Sequence, residues 1–372
     1  MMKSSIVLLG VFMNMIVVGQ NIAFPQNVKY KYGIMPEYRK HADAQMAYDD
    51  WKQHHLTKQG ANGGYRVLFD DGKSTVSEGI AYGMLLSVCF GEKEIFDGLW
   101  QYYKLHSNEN GVMHWMINDK GEVIKANGAS DAEEDAAYAL YLAHRQWGSS
   151  NGINYLKDTK ELISIMMEHE VDHKNFMFSP GDKWGDKNTV FNPSYFAPAY
   201  YRVFKQLTGD ENWDKVIAKG YEILNKAMNK ETGLVPDWCD IDGNLIKGRN
   251  SHYGFDAART PWRIAMDYAW FGTPAAQEYC IKITGFAKKT GAANIKDGYE
   301  INGTVTGKYH NSTFVGPFGA GAMATTEEFQ GFCNQIYIDN VYTLGDTYFN
   351  RSIKALTLLF QTGNFIAPDI GD

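Results

Sequence analysis

Residues 77–100 read SEGIAYGMLLSVCFGEKEIFDGLW, and this stretch indicates the fold. Apolar residues recur at helical spacing up to Phe90, and a second helical segment starts at Glu92. Gly91 separates the two segments. A glycine that ends one helix, directly before an acidic residue that opens the next, is typical of a tight helix–helix turn. The stretch therefore predicts two helices packed against each other as a hairpin.

The same alternation of helices and turns continues along the whole chain. We expect helices to begin near residues 38, 78, 92, 131, 154, 193, 210, 256, 273, 315, 334 and 349. Short turns such as Thr208-Gly209-Asp210 join the two helices of a pair, and long loops rich in Gly, Asn and Asp join one pair to the next. Twelve helices in six hairpins predict an all-α fold, an (α/α)6 barrel, which is a toroid of six helical hairpins. An open helical solenoid would produce the same pairing pattern.

Composition separates the helices into an inner and an outer set. Ala, Gly, Met and Leu, which are often fully buried, dominate the helices predicted at Glu78, Asp131, Pro193, Asp256 and near Val315. Their partners, predicted near residues 92, 154, 210 and 273, carry more Lys, Glu and Asp, as outer helices that face solvent do. The loops that lead into the inner helices should then gather at one end of the barrel.

The first residues are typical of an export signal. Lys3 is a short basic start, residues 6–18 form an apolar run, and the small Gly19 precedes the predicted cleavage point. We therefore expect residues 1–19 to be a signal peptide and residues 20–372 to be a single domain. That domain should be secreted, to the cell exterior or the periplasm, as a monomer without membrane contact. An uncleaved membrane anchor is the alternative.

Charge and cysteine spacing exclude some partners and sites. The net charge of −7 argues against nucleic acid, because phosphate binding needs basic patches. The four cysteines lie far apart without a CxxC pair, so the spacing does not predict a zinc site. We expect Cys89 and Cys280, both in apolar helical stretches, to be buried free thiols, while disulfide pairing among the four stays open.

Polar residues stand at the starts of predicted inner helices, namely Glu78, Asp131, Tyr195 and Asp256. Taken singly, each carboxylate is explained more simply as a helix cap that complements the helix dipole. Near Glu78, however, Gly79 and Gly83 lie one turn apart within a helix, where each costs about 1 kcal/mol relative to Ala. This is explained if a ligand or a neighbouring helix approaches the backbone closely. Arg259 follows Asp256 by one helical turn, so it can keep that carboxylate ionised.

Several separated motifs carry a family resemblance. They are Ser77-Glu78-Gly79 with Tyr82-Gly83, Met113-His114-Trp115, the acidic stretch 129–135, Pro180-Gly181-Asp182 with Trp184-Gly185, the stretches 192–199 and 233–239, and Asp256-Ala257-Ala258-Arg259. With these motifs in this order, from about Lys29 to Asn364, the chain resembles family 8 of the glycoside hydrolases, in particular its secreted endoglucanase branch. The resemblance implies an (α/α)6 barrel that hydrolyses a β-1,4-linked polysaccharide with inversion, without a metal or an organic cofactor.

The resemblance also implies roles for individual residues. Glu78 resembles the general acid, Asp256 the general base, and Asp131 the carboxylate that holds the sugar at the cleavage point. Arg259 resembles a support for the base. Glu133 departs from the pattern, because many members carry Asp there, and we expect it to lie behind the site. The implied substrate-binding aromatics are Trp115, Trp184, Tyr195 and, as the C-terminal tyrosine near the cleft, Tyr348.

The chemistry sets a condition on the acid. An inverting hydrolase needs a protonated acid for the leaving oxygen and a carboxylate that activates water on the opposite face of the sugar. A helix N-terminus acting alone would lower the pKa of Glu78. We therefore expect packed aromatics and the charge of Asp131 to raise it.

These inferences predict an endo-β-1,4-glucanase that acts on cellulose-like or mixed-linkage β-glucan. An endo-β-1,4-xylanase and a lichenase are the alternatives on the same scaffold. A chitosanase is less favoured, because the Asp256-Ala-Ala-Arg259 motif is intact. A non-catalytic sugar-binding toroid is the remote alternative, and it would not need the pair of carboxylates.

Overall fold

The computed structural model describes residues 22–149, 152–184 and 189–369, and over these residues it contains twelve α-helices. They are α1 (His41–His55), α2 (Ser77–Cys89), α3 (Lys93–Leu105), α4 (Ser130–Trp147), α5 (Tyr155–His169), α6 (Pro198–Thr208), α7 (Asn212–Ala227), α8 (Thr260–Phe271), α9 (Pro274–Thr290), α10 (Ser312–Met323), α11 (Gln330–Tyr342) and α12 (Tyr348–Gln361). The predicted signal peptide, residues 1–19, lies outside the described residues. Within the described ranges, no helix is both long and apolar enough to pass through a bilayer.

The six even-numbered helices form an inner ring. Neighbours contact each other round this ring, and the stacked rings of Tyr138 and Tyr200, with centroids 4.1 Å apart, join α4 to α6. Helices α3, α5, α7, α9 and α11 each pack outside the inner helix that precedes them, while the N-terminal helix α1 packs against α12. Because α12 also contacts α2, the ring is closed. The predicted (α/α)6 barrel is therefore confirmed over the open solenoid.

Two glycines of α2 show how closely the neighbours of an inner helix approach. A Cβ on Gly79 would lie 3.0 Å from the hydroxyl oxygen of Tyr348, and a Cβ on Gly83 would lie 2.8 Å from a methyl carbon of Leu99. Real side chains rarely tolerate such distances, because protein interiors are close-packed. Side chains of neighbouring helices therefore explain both glycines.

Two inner helices begin later than predicted. Helix α6 starts at Pro198 and α8 at Thr260, and each follows a short 3₁₀ turn, at Pro193–Tyr195 and at Ala257–Arg259. Proline occupies one of the first two positions of both helices, where its missing N–H and fixed φ are tolerated. Tyr195 and Asp256 thus stand on irregular backbone just before their helices.

Five short β-strands, which the sequence analysis did not predict, lie in the loops that join α1 to α2 and α3 to α4. They are β1 (Leu56–Thr57), paired with β2 (Arg66–Val67), and the antiparallel sheet of β3 (Thr75–Val76), β4 (Met116–Ile117) and β5 (Val123–Lys125). Strand β3 leads directly into α2, and the backbone N–H of Ser77 donates to the carbonyl oxygen of Trp115 at 3.1 Å. This contact ties the start of α2 to the loop that carries Trp115.

The N-terminal segment, residues 22–40, covers the end of the barrel at which the inner helices α2 and α10 finish. The backbone N–H of Phe24 donates to the carbonyl of Cys89, and that of Ile34 donates to the carbonyl of Met323, both at 2.8 Å. These acceptors lie at the ends of α2 and α10, where helix carbonyls have no partner within the helix. The segment therefore satisfies backbone groups that the inner ring leaves open.

The cysteines are buried and free at all four positions, Cys89, Cys239, Cys280 and Cys333. The prediction for Cys89 and Cys280 is confirmed. Burial raises the pKa of the Cys89 thiol to about 12, so its reactive thiolate is absent at neutral pH.

Candidate active site

A cavity of about 850 Å³ opens at the end of the barrel where the inner helices begin. Its lining includes six of the eight predicted site residues, namely Glu78, Trp115, Asp131, Tyr195, Asp256 and Arg259. Other lining residues come from the loops before α2, α10 and α12. The prediction that incoming loops gather at one end is therefore confirmed.

Glu78 is held from two sides. The hydroxyl of Tyr348 donates to its Oε1 at 3.0 Å, and Nη1 of Arg259 donates to its Oε2 at 2.7 Å. Its side chain keeps 18% of its surface exposed, so the carboxyl group still faces the cavity. Tyr348, predicted to bind substrate, does not line the cavity. It is buried behind Glu78, where the absence of a side chain on Gly79 makes room for its ring, so a direct sugar contact stays a prediction.

Arg259 links all three predicted carboxyl groups. Besides Glu78, its Nη1 contacts Oδ2 of Asp131 at 2.6 Å, and its Nη2 contacts Oδ1 of Asp256 at 3.2 Å. Its Nη1 also donates to the hydroxyl oxygen of Tyr82 at 3.1 Å, a partner that the sequence analysis missed. Because the guanidinium is a rigid planar fork, these contacts fix the relative positions of the three groups.

The pKa of Glu78 has the direction that an acid needs. Burial raises it to about 8, which outweighs the opposing effect of the Arg259 charge, and the charge of Asp131 raises it further. The hydrogen bond from Tyr348 lowers it. The carboxyl is therefore protonated at neutral pH, as predicted, although burial contributes more than Asp131.

Asp131 differs from the other two carboxyl groups in its exposure. Its side chain is 2% exposed, and burial raises its pKa against the effect of Arg259. Its second oxygen, Oδ1, has no hydrogen-bond partner among the described residues. Asp131 lines the cavity, and this oxygen has hydrogen-bonding capacity that no described group of the protein uses.

Asp256 is the most exposed of the three carboxyl groups, with 31% of its side chain accessible. It stands just before the 3₁₀ turn that precedes α8, and its carboxylate reaches the cavity. This position lets the carboxylate contact water, as a general base requires.

The predicted aromatics divide into two groups. Trp115 and Tyr195 line the cavity, and the ring of Tyr195 also lies 5.2 Å from the Arg259 guanidinium. Trp184 does not line it. Its ring stacks on that of Trp238 with centroids 5.4 Å apart, and Trp238 meets Tyr195 edge-on at 6.1 Å. Trp184 therefore extends the aromatic surface away from the cavity, and a sugar contact at this position stays a prediction.

Some lining residues escaped the sequence analysis, among them Phe69, Asp70, Phe255, Tyr309, His310, Leu344 and Phe349. Phe255 and Phe349 are chain neighbours of Asp256 and Tyr348. Tyr309 lies shortly before the inner helix α10 and is 71% exposed. Proximity to an inner-helix start is the signal that would have found them.

A second ionic layer lies one helical turn below Arg259. Arg263 donates to both carboxylate oxygens of Asp135, and both residues are fully buried. Asp135 stands one turn after Asp131 on α4, so Arg259, just before α8, and Arg263, within α8, face two aspartates one turn apart on α4. Glu133, predicted to lie behind the site, is buried and accepts a hydrogen bond from Tyr103 at 2.8 Å.

The cavity can perform acid–base chemistry. It holds one carboxyl that is protonated at neutral pH and one accessible carboxylate, both within reach of a single guanidinium. Such a pair can donate a proton to one atom and accept a proton from water nearby. Among the described residues, no group of three or more His, Cys, Asp or Glu is arranged to hold a metal ion.

Comparisons with known proteins agree with this geometry. The family model described as "Glycosyl hydrolases family 8" matches residues 22–363. Endoglucanase 2 of Ruminiclostridium josui is 41% identical over 92% of this chain and 77% of its own length, and the beta-glucanase of Niallia circulans is 34% identical over 93% and 91%. The apo structure of a beta-1,3-1,4-glucanase from Paenibacillus sp. X4 superposes with a TM-score of 0.87 at 32% identity, covering 94% of this chain and 100% of that one. The chain therefore belongs to family 8 of the glycosyl hydrolases and is a glycoside hydrolase.

Proposed function

We propose that this protein is a secreted, inverting endo-β-1,4-glucanase that hydrolyses cellulose-like or mixed-linkage β-glucan. The observation that carries the proposal is the cavity in which a protonated Glu78 and an accessible Asp256 contact the same guanidinium. The similarity to an endoglucanase and two β-glucanases supports the choice of glucan.

In this proposal, Glu78 donates its proton to the glycosidic oxygen as the bond to the anomeric carbon breaks. Asp256 accepts a proton from the water that attacks this carbon on the opposite face of the sugar. Asp131 receives a sugar hydroxyl at its free Oδ1, and Arg259 holds the three carboxyl groups in register. Trp115 and Tyr195 offer apolar ring faces to the C–H faces of the sugars.

The stereochemistry tests the assignment. Inverting glycosidases leave about 6.5–9.5 Å between the two carboxyl groups, so that a water fits between base and sugar, whereas retaining ones hold them at about 5–5.5 Å. We predict the wider gap between Glu78 and Asp256 and an α-anomer as the first product. Proton NMR in the first minutes of hydrolysis distinguishes the anomers, and a β-anomer as first product would refute inversion.

Substrate choice needs a direct comparison. Initial rates and product sizes should be measured side by side on carboxymethyl cellulose, lichenan, xylan and chitosan. We expect the two glucans to be cut fastest, into oligosaccharides of mixed length, as an endo-acting enzyme produces. Faster cleavage of xylan would select the xylanase alternative, a marked preference for lichenan would select the lichenase, and no cleavage of any of the four would reject the proposed function.

Export and assembly belong to the same proposal. The N-terminal sequence of protein recovered from the culture medium or periplasm should begin at Gln20. Light scattering should give the mass of one chain. We also propose that no metal takes part, so activity should persist in excess chelator.

A further inference from the structure

Asp256 is the least constrained of the three carboxyl groups of the site. Its bond to Arg259 is the longest of the three, at 3.2 Å, compared with 2.7 Å for Glu78 and 2.6 Å for Asp131. It also stands on a turn outside any α-helix. A misplacement of about 1 Å in a reacting group can cost about 10²-fold in rate, so a general base needs further contacts that fix this turn.

A buried carboxylate fixes it. The backbone N–H groups of Gly254 and Ala257, on either side of Asp256, both donate to Oδ1 of Asp237, at 3.0 and 2.7 Å. The side-chain amide of Asn250 donates to Oδ2 of Asp237, and the backbone N–H of Asp237 donates to the carbonyl of His252 at 2.8 Å. Residue 237 therefore holds the segment 250–257 at four points.

The turn and the carboxylate fit each other closely. A Cβ on Gly254 would lie 2.5 Å from Oδ2 of Asp237, so only glycine leaves room for this contact. Asp237 is 3% exposed and does not line the cavity, and protein donors occupy both of its oxygens. It therefore cannot reach a substrate and acts only through the turn.

We propose that Asp237 is a positioning residue for the reaction, and that it places the Asp256 carboxylate for activation of water. This inference rests on the proposed role of Asp256 as the base. Burial, reinforced by the charge of Asp256, raises the pKa of Asp237 to about 6, and the three donated hydrogen bonds oppose that rise. In metal sites, a buried carboxylate often orients a metal-binding side chain through hydrogen bonds. Loss of such a carboxylate lowers metal affinity or activity by about 10–100-fold.

Asp237→Ala is the test variant. A substrate whose leaving group needs no general acid shows whether the variant is impaired at the base. Fluoride leaves a β-cellobiosyl fluoride without protonation, so its hydrolysis depends on the base and not on Glu78. We expect Asp237→Ala to lower kcat about 10²-fold on both cellohexaose and the fluoride, because a displacement of about 1 Å has an effect of this size. We expect KM to change less than about threefold. Trp238, which contacts the aromatic side chains of Trp184 and Tyr195, follows Asp237 directly in the chain. It stays in place because its neighbour Cys239 exchanges two backbone hydrogen bonds with Phe191.

Two further variants separate positioning from general damage. Asp267→Ala removes an equally buried aspartate of α8 that is bound by Arg202 and Tyr221, and it should lower the melting temperature without changing kcat. The exchange Asp237→Asn with Asn250→Asp keeps an oxygen for both backbone donors and restores the amide–carboxylate pair. We expect kcat of this double variant to be at least tenfold higher than kcat of Asp237→Ala.

The outcomes are distinct. If Asp237→Ala is destabilised but keeps its kcat, Asp237 has only a structural role and the inference is wrong. If Asp237→Ala hydrolyses the fluoride at the wild-type rate, the defect of this variant lies at the acid, which also overturns the inference. The proposed function has its own check, because Glu78→Gln should be rescued by the fluoride and Asp256→Asn should not. Failure of that check would reject the acid–base assignment rather than the role of Asp237.

Discussion

The hydrogen bond from Tyr348 to Glu78 leads to a prediction about the pH dependence of the enzyme. The hydroxyl donates to Oε1 at 3.0 Å and stabilises the charged form of a carboxyl whose pKa burial has raised to about 8. Tyr348→Phe removes that donor and keeps the ring against Gly79. The protonated form, which is the active form of the acid, should therefore persist to higher pH.

The size of the shift follows from the bond that is lost. A hydrogen bond to a charged group contributes about 1.5–3 kcal/mol, and one pKa unit corresponds to about 1.36 kcal/mol. The alkaline limb of kcat/KM, which reports the acid in the free enzyme, should therefore move up from near pH 8 by about 1 to 2 units. Because Glu78 and Asp131 interact, the limb reports the apparent pKa of the pair.

The assay is a pH–rate profile on a soluble cello-oligosaccharide. Tyr48→Phe is the matched control, because the buried Tyr48 also donates to a glutamate, Glu92, at 3.0 Å, and it does not line the cavity. The control should leave the limb in place. If the alkaline limb of kcat/KM in Tyr348→Phe lies at the wild-type pH, or at a lower pH, the reasoning is refuted.

Further predictions concern the acid, the aromatic surface and the buried ion pair. Glu78→Gln should fold normally, as judged by circular dichroism, and lose about 10²–10⁴-fold in kcat on polysaccharide; a variant that keeps a tenth of the activity would remove Glu78 from the mechanism. Trp115→Ala should weaken binding of long oligosaccharides by about tenfold in calorimetry, roughly 1.4 kcal/mol, because a ring face is lost from the cavity wall. Trp184→Ala should have a smaller effect, because that ring lies outside the lining, and equal effects would contradict this ranking. Asp135→Ala should lower the free energy of unfolding by about 3–5 kcal/mol in a denaturant titration, because Arg263 is left buried without its partner; a change below 1 kcal/mol would show that the site relaxes or admits water.

Most of the architecture could be predicted from local sequence. Helix periodicity and glycine-bounded turns depend on residues within a few positions of each other, so the twelve helices and their pairing were recoverable. The start of α8 at Thr260 was not, because the turn before it depends on contacts with Asp237, which is distant in the chain. The two-residue strands carry too short a pattern to be recognised.

The types of site residue were also present in the sequence, but their connections were not. Motifs identified Glu78, Asp131 and Asp256, and the spacing of one helical turn suggested the contact between Arg259 and Asp256. The contact of Arg259 with Glu78 spans 181 positions, and the bond from Tyr348 to Glu78 spans 270. No local pattern encodes such separations.

Tertiary structure alone decided the chemical state of the acid. Local sequence places Glu78 at a helix start, where the helix dipole alone would lower the pKa of a carboxyl. Closure of the ring, with α1 packed against α12 as the sixth helix pair, buries the same carboxyl, and this burial raises its pKa to about 8. The dipole acts within one turn of its own helix, whereas desolvation requires every neighbouring helix to be in place. The sequence therefore determined which residue is the candidate acid, and the closed barrel determined that it holds a proton.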